Sequence, residues 1–218
     1  MPALRNIQNY RRLVKRAFTG VPIRPWQHQY RAIFIHIPKC AGTSILETFG
    51  HVGVRDHGRW IDYQRGDRVS FSNYFKFSFT RCPAKRLHST YQYLKRGGNG
   101  GRRDRTLAEQ LCINRCEFDE FVFTQLTPTL VRQELLFWEQ SSFIFDQKDN
   151  LKVDFLGRVE TIEEDFAAIL KRLSIPLPKK LAHLNSSPSD FVPLTSEIIN
   201  QVNRLYPRDA QLLGYPLH

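Results

Sequence analysis

No stretch of this 218-residue chain approaches the roughly 18 consecutive apolar residues that a bilayer-spanning helix needs. The opening MPALRNIQNYRRLVKRAF lacks the continuous apolar run of a secretory signal. Four cysteines are too few for a disulfide scaffold at this length. Cys112 and Cys116 stand one helical turn apart, but Cys40 and Cys82 lie in unrelated segments, so no zinc-ligand set is completed and no metal is expected. Gly and Pro, 12 of each, stay at ordinary levels and exclude collagen-like and low-complexity chains. Together these absences describe a soluble, intracellular protein with reduced thiols, long enough for one α/β domain and not for two large ones.

What is present is a core and a charge. Apolar residues make up 41% and charged residues 24%, so the chain can bury enough surface to fold. Lys and Arg number 32 against 21 Asp and Glu, a net charge of +11. Such an excess favours anionic partners, among them nucleic acid, anionic lipid, acidic sugar and nucleotide, without choosing between them.

Residues 1–30 read as a basic N-terminal helix and lead-in, and 31–218 as the folded domain. Ile7, Tyr10, Val14 and Phe18 form a helical stripe among Arg5, Arg11, Arg12, Lys15 and Arg16. A helix of that kind can pack on its own domain or touch a membrane surface. RAIFIHIPK holds a short β-branched run that reads as a buried strand; Pro38 stops it, and TSILETFG reads as a helix closing near Gly50. Tyr74, Phe75, Phe77 and Phe79 mark a second buried strand, after which Pro83 opens a helix that ends at Gly97-Gly98. GGNGGRRDR (97–105) reads as a flexible basic loop, and 106–139 as mostly helical. SSFIFDQKDNLKVDFLGRVE suggests two short strands around an Asp149-Asn150 turn. TIEEDFAAILKRLSI is a helix with a Thr161…Glu164 capping box and an apolar face of Ile162, Phe166, Ile169, Leu170 and Leu173. SEIINQVNRLY closes the pattern with another helix. Strand–helix–strand–helix with two apolar strands predicts an α/β fold, a central parallel sheet flanked by helices.

In open α/β sheets ligands bind beyond the carboxyl ends of the strands, and both chemically suggestive clusters fall there. The first is Pro38-Lys39-Cys40-Ala41-Gly42-Thr43-Ser44. A cation, two hydroxyls, a glycine permitting close backbone approach and a helix start make a phosphate-type site. It is not a Walker A loop, because Lys39 precedes Gly42 instead of following it, and ordinary ATP or GTP hydrolysis loses ground accordingly. The second cluster is Arg81 at the end of the FKFSFT strand with Ser89 on the next helix, a guanidinium and a hydroxyl suited to another phosphate.

FIHIPKCAGTSI resembles the 5′-phosphosulfate loop of sulfotransferases, and FKFSFTRCPAKRLHSTYQYL resembles their 3′-phosphate segment. Both are similar to the carbohydrate sulfotransferases that include the heparan-sulfate 2-O enzymes and bacterial relatives. DFLGRVETIEEDF, LAHLNSSP and LYPRDAQLLGY look like later blocks of the same family, in order, so that the resemblance spans about residues 32–215. It implies a P-loop-like nucleotide-binding sulfotransferase architecture and transfer of a sulfuryl group from 3′-phosphoadenosine 5′-phosphosulfate (PAPS) to a sugar hydroxyl, with no required metal. Carried over, Lys39, Ala41, Gly42, Thr43 and Ser44 would hold the 5′-phosphosulfate. Arg81 and Ser89 would hold the 3′-phosphate, and Asn185 and Ser187 would touch the nucleotide from a late loop. Cys40 stands where the family often has Thr or Ala, and Cys82 where it has Asn or Asp; neither position supplies a charge in this scheme.

The attacking hydroxyl needs a general base, and Lys39 beside the bridging oxygen can stabilise the leaving charge. Relatives often place a histidine between the two phosphate segments. His57, 18 residues before Phe75, is the best match, with His51 as a second candidate and Glu47 as a third. His36 reads as a structural residue beside the loop. The implied partner is a carbohydrate acceptor, acidic or lipid-linked, and the implied location is the bacterial cytoplasm, with membrane contact through residues 4–18 as an option. Three other readings stand beside this one. A catalytically silent PAPS or polysaccharide binder would keep the fold and lose the base. A nucleic-acid module fits the charge but has no RNP, KH or zinc-finger pattern. A nucleotide kinase is disfavoured by the lysine position.

Overall fold

The structure, a computed structural model, describes residues 19–51, 55–176 and 194–215. The expected helix at 4–18 and the residues Asn185 and Ser187 lie outside those described. Pro25 opens α1 (Pro25–Tyr30), where its missing N–H costs nothing, and Arg31 closes it in the left-handed region at φ 47°. β1 (Ala32–Ile35) follows, buried at all four positions, and ends before Pro38. Three helices come next: α2 (Gly42–Thr48), α3 (Trp60–Gly66) and α4 (Arg68–Asn73). β2 (Phe75–Thr80) leads into α5 (Pro83–Lys95) and α6 (Arg102–Gln110). A π-helical turn at Phe121–Gln125 precedes α7 (Pro128–Gln133). β3 (Phe155–Arg158) and α8 (Ile162–Arg172) follow, then α9 (Ser196–Leu205) and α10 (Pro207–Leu212).

The class is α/β, as the alternation of strand and helix predicts. The sheet order is β1-β2-β3, and β1 pairs parallel to β2 with Ala32 opposite Phe75 and Ile35 opposite Ser78. Helices α1 and α8 pack on β1 and β3. Among the described residues no helix is long and apolar enough to cross a membrane. The described chain gathers into two compact units interleaved in sequence. The first takes 19–37, 42–79 and 142–176, and the second takes 38–41, 80–141 and 194–215.

The first unit is built on aromatic contacts across the sheet. Phe34 stacks on Phe77 at 5.1 Å between centroids, Phe49 meets Phe77 and Phe166, and Phe79 lies edge-on to Phe166. Each such ring, fully buried, contributes about 1.5–3 kcal/mol. Trp26 stacks on Phe49, which anchors α1 to this core. The second unit has its own core of Leu87, Tyr91, Leu94, Phe118, Phe121, Phe137, Val202 and Tyr206.

Three local expectations need correction. Residues 97–105 are not one loose loop: the turn stops at Gly101 and α6 begins at Arg102. The Asp104 carboxylate ties the turn down, accepting from the Tyr93 hydroxyl at 2.5 Å and from the Asn99 N–H at 3.2 Å. The FIF run is a helical turn, Ser141–Ile144, and only a single Phe145–Leu151 bridge survives of the first expected strand. Thr161 does not cap α8 through a capping box. Its hydroxyl and the Arg158 N–H both donate to Asp165, at 2.7 and 2.8 Å.

Gly157 on β3 is a steric requirement: a Cβ there would lie 2.5 Å from Cε1 of Phe79, a ring already held by Phe166. Gly157→Val is expected to cost about 1–3 kcal/mol by overpacking, measurable as a lower urea midpoint at unchanged m-value.

Candidate functional site

Residues 38–41 of the loop after β1 belong to the second unit. Lys39 and Ala41 both adopt left-handed backbone, at φ 68° and 56°. For residues with a Cβ this costs about 1 kcal/mol or more each, and it is the kind of strain that anion-binding loops carry. Alternate left-handed residues curl the chain so that backbone N–H groups can converge on an anion. Lys39 is half-buried, with Nζ 4.3 Å from the centre of the Tyr93 ring. That cation–π contact directs the ammonium across α5.

The same unit holds the second cluster. Arg81 follows the last residue of β2, and Ser89 sits on α5; both are half-buried, and the helix opens at Pro83 as expected. The Arg81 backbone is clamped by a fully buried side chain, Gln140. Its Oε1 accepts the Arg81 N–H at 2.9 Å, and its Nε2 donates to the Arg81 carbonyl at 2.8 Å. The Cys40 thiol donates to the same Oε1 at 3.3 Å. One amide therefore joins the Lys39 loop to the Arg81 strand end. Gln140 is itself held by Asp209, whose carboxylate accepts the N–H groups of Gln140 and Ser141 at 2.9 and 2.8 Å. Thr80 meets the Tyr215 hydroxyl at 3.1 Å. The donor set of Lys39, Arg81 and Ser89, cationic and hydroxylic, suits phosphate-type anions.

In the first unit, Gly42, Thr43 and Ser44 begin α2, with Gly42 and Ser44 buried and Thr43 half-buried. Gly42 has a definite reason to be glycine: a Cβ would fall 1.8 Å from Nε2 of His36, whose imidazole occupies that space. His57 lies against the other histidine, ring centroids 4.2 Å apart, and its Nδ1 is 3.1 Å from the His36 carbonyl. A carbonyl only accepts, so Nδ1 carries the proton and neutral His57 has its lone pair at Nε2. Asp56, next in the chain, is paired with Arg24, whose Nε lies 2.9 Å from Oδ2, and this fixes the segment that carries His57. His51 follows α2 with its N–H bonded to the Leu46 carbonyl at 2.9 Å, and Glu47 is exposed on α2. In the second unit, His88 packs edge-on against Phe118.

None of the four cysteines forms a disulfide, and Cys116 donates to the Cys112 carbonyl at 3.2 Å. Burial raises its thiol pKa above the ordinary value. Among the described residues no His, Cys, Asp or Glu cluster is arranged to hold a metal ion.

Compared with protein-family models, residues 26–216 match the one described as the sulfotransferase family. The chain belongs to that family. No curated protein and no solved structure matches it. The P-loop-like architecture anticipated from the two phosphate segments agrees with this membership.

In this sulfotransferase the residues that sequence reasoning missed are Gln140 and Asp209. Neither lies in the two phosphate-type clusters: Gln140 acts on Arg81 from 59 positions along the chain, and Asp209 acts through Gln140 from a further 69. The one available signal was the LYPRDAQLLGY block, which supplies both Asp209 and Tyr215. Gln140→Leu keeps the volume but strands the Arg81 N–H and carbonyl. At about 1–3 kcal/mol for each group left unpaired, it should cost roughly 2–6 kcal/mol in urea denaturation. A loss below that of an ordinary surface substitution would remove the clamp from this account.

Proposed function

We propose that this sulfotransferase moves a sulfuryl group from PAPS to a hydroxyl of a carbohydrate acceptor, with His57 as general base. The observation that carries the proposal is the bond between His57 Nδ1 and the His36 carbonyl, which makes Nε2 the basic nitrogen of a fixed imidazole. PAPS, when bound, supplies the sulfuryl group and a leaving phosphate. Lys39 offers a positive charge to the oxygen that becomes anionic as the S–O bond breaks. Ala41, Gly42, Thr43 and Ser44 supply backbone and hydroxyl donors to the 5′-phosphosulfate, and Arg81 and Ser89 hold the 3′-phosphate. His57 takes the acceptor proton at Nε2, and its Nδ1–H keeps the ring oriented as it becomes an imidazolium.

The carbohydrate half of the proposal rests on the resemblance of the two phosphate segments to sugar-modifying sulfotransferases and on the basic composition. An acidic acceptor fits a chain with net charge +11. His51 stays the second candidate base. His57 is preferred because a carbonyl fixes its tautomer.

Adenosine 3′,5′-bisphosphate, the product nucleotide, tests the donor site directly. At about 100 times its dissociation constant it should add roughly 2.7 kcal/mol, a rise on the order of 5–11 °C in melting temperature for this size, with no comparable effect from ATP or a DNA oligomer. A response to ATP or DNA in its place would overturn the donor assignment. Arg81→Ala should weaken the bisphosphate by about 1.5–3 kcal/mol, the worth of a charged hydrogen bond. His57→Ala should lower turnover by roughly 10²–10⁴-fold while leaving bisphosphate affinity intact. Unchanged turnover would transfer the base to His51 or Glu47. Lys39→Ala should also remove most turnover, and a near-normal rate would end its leaving-group role.

A further inference from the structure

At the amino ends of β1 and β2, the ends opposite those from which His36 and Arg81 continue, the first unit has an open cleft of about 570 Å³. That volume lies within the range of small-ligand sites. Its walls come from the ends of three helices and the start of β2, and they include Arg31, Lys76, Arg172, Tyr30, Ser72 and Ser174.

The cations of this cleft divide into two kinds. Lys76 is already matched, with Nζ 2.9 Å from Asp154, the carboxylate among the lining residues. Arg31 and Arg172 are not. Each guanidinium is laid over an aromatic ring, Arg31 over Tyr74 at 5.2 Å and Arg172 over Phe75 at 4.7 Å. Neither makes an ion pair or a side-chain hydrogen bond among the described residues. Stacking holds a guanidinium plane while leaving its N–H edge available to a ligand. Two such groups flank adjacent rings at positions 74 and 75.

The backbone supports a functional reading of the cleft. Arg31 and Ser174 both sit in the left-handed region, at φ 47° and 55°, just past the ends of α1 and α8. Glycine would take either conformation without strain, yet both positions carry side chains that line the cleft. Cations near helix C-termini also offset the helix dipole, but that role needs no cleft and no neutral hydroxyls beside them. Here Ser72, Ser174 and Tyr30 add hydroxyl-bearing side chains to the lining.

We propose that this cleft is a second binding site, for a short acidic oligosaccharide segment carrying sulfate or carboxylate groups. The choice of a sugar rests on the carbohydrate reading above and on the mixed lining. Guanidinium groups suit the anionic substituents, hydroxyls suit the ring hydroxyls, and Tyr30 offers a partly exposed face to a pyranose. A membrane surface is disfavoured because no strongly exposed apolar side chain lines the cleft. Such a site holds a polymeric acceptor away from the point of transfer and raises its local concentration there.

The test uses a heparin-derived sulfated hexasaccharide as probe, with binding measured by calorimetry on the full chain. Arg31→Ala with Arg172→Ala should weaken it by about tenfold or more, since two charge-assisted contacts are lost. Arg65→Ala with Lys148→Ala removes the same charge outside the cleft and should change it by less than about twofold. Equal losses in the two double variants, or no loss in the first, would overturn the proposal. So would a DNA oligomer or phosphatidylglycerol vesicles that lose binding in the cleft variant while the hexasaccharide does not. The bisphosphate thermal shift is recorded on every variant. A normal shift with no cleft-dependent sugar binding refutes the second site alone. An absent shift in the parent protein refutes the donor assignment and leaves the cleft result readable.

Discussion

The amide of Gln140 is the contact on which the Lys39 loop and the end of β2 depend in the second unit. A single neutral side chain, fully buried, satisfies both backbone groups of Arg81 and accepts the thiol of Cys40. Buried polar groups are tolerable only when paired, and an amide offers both a donor and an acceptor in one plane. A carboxylate could not donate to the Arg81 carbonyl, and an apolar residue could do neither. Asp209 completes the arrangement from below. Its buried carboxylate accepts two backbone N–H groups, those of Gln140 and Ser141. The arginine that would hold a phosphate is thus positioned through its main chain.

A comparable economy operates in the first unit around His36. The imidazole fills the volume that forces residue 42 to be glycine, and the carbonyl of the same residue fixes the tautomer of His57. One residue at the end of a strand therefore shapes the start of α2 and orients the candidate base. What the chain order could not convey is that both the ring and the backbone carbonyl of His36 meet His57.

The legible parts of the fold were those written in local pattern. The apolar runs at 32–35 and 75–80 are strands because β-branched and aromatic residues fill a buried sheet, and Pro83 and Gly97 bound α5 where their backbone preferences put them. The phosphate-site candidates were legible because Lys, Arg, Thr and Ser at strand ends have few other reasons to cluster. The illegible parts depended on distant partners. FIF became a helical turn, since a three-residue apolar run has no period to read. The 97–105 segment looked loose on composition, yet one carboxylate, Asp104, reaches back to Tyr93 and Asn99 and starts a helix. Gln140 carries no sequence mark at all, because its importance comes entirely from what lies around it.

The net charge of +11 illustrates the same division between composition and placement. Several of the arginines are consumed by the fold. Arg86 is buried and donates to the Leu136 and Trp138 carbonyls while lying over Tyr206. Nearby, Glu139 is only partly shielded from water, yet burial and the Asp209 charge push its carboxyl above the ordinary range. Arg24 and Arg103 are matched to Asp56 and Glu134. None of these can contribute fully to recognition of a polyanion, because each is already answered within the chain. Arg31 and Arg172, set on aromatic faces with no ion pair among the described residues, are not answered in this way. A basic composition therefore says that anions are welcome, and only the pairing of each cation says where.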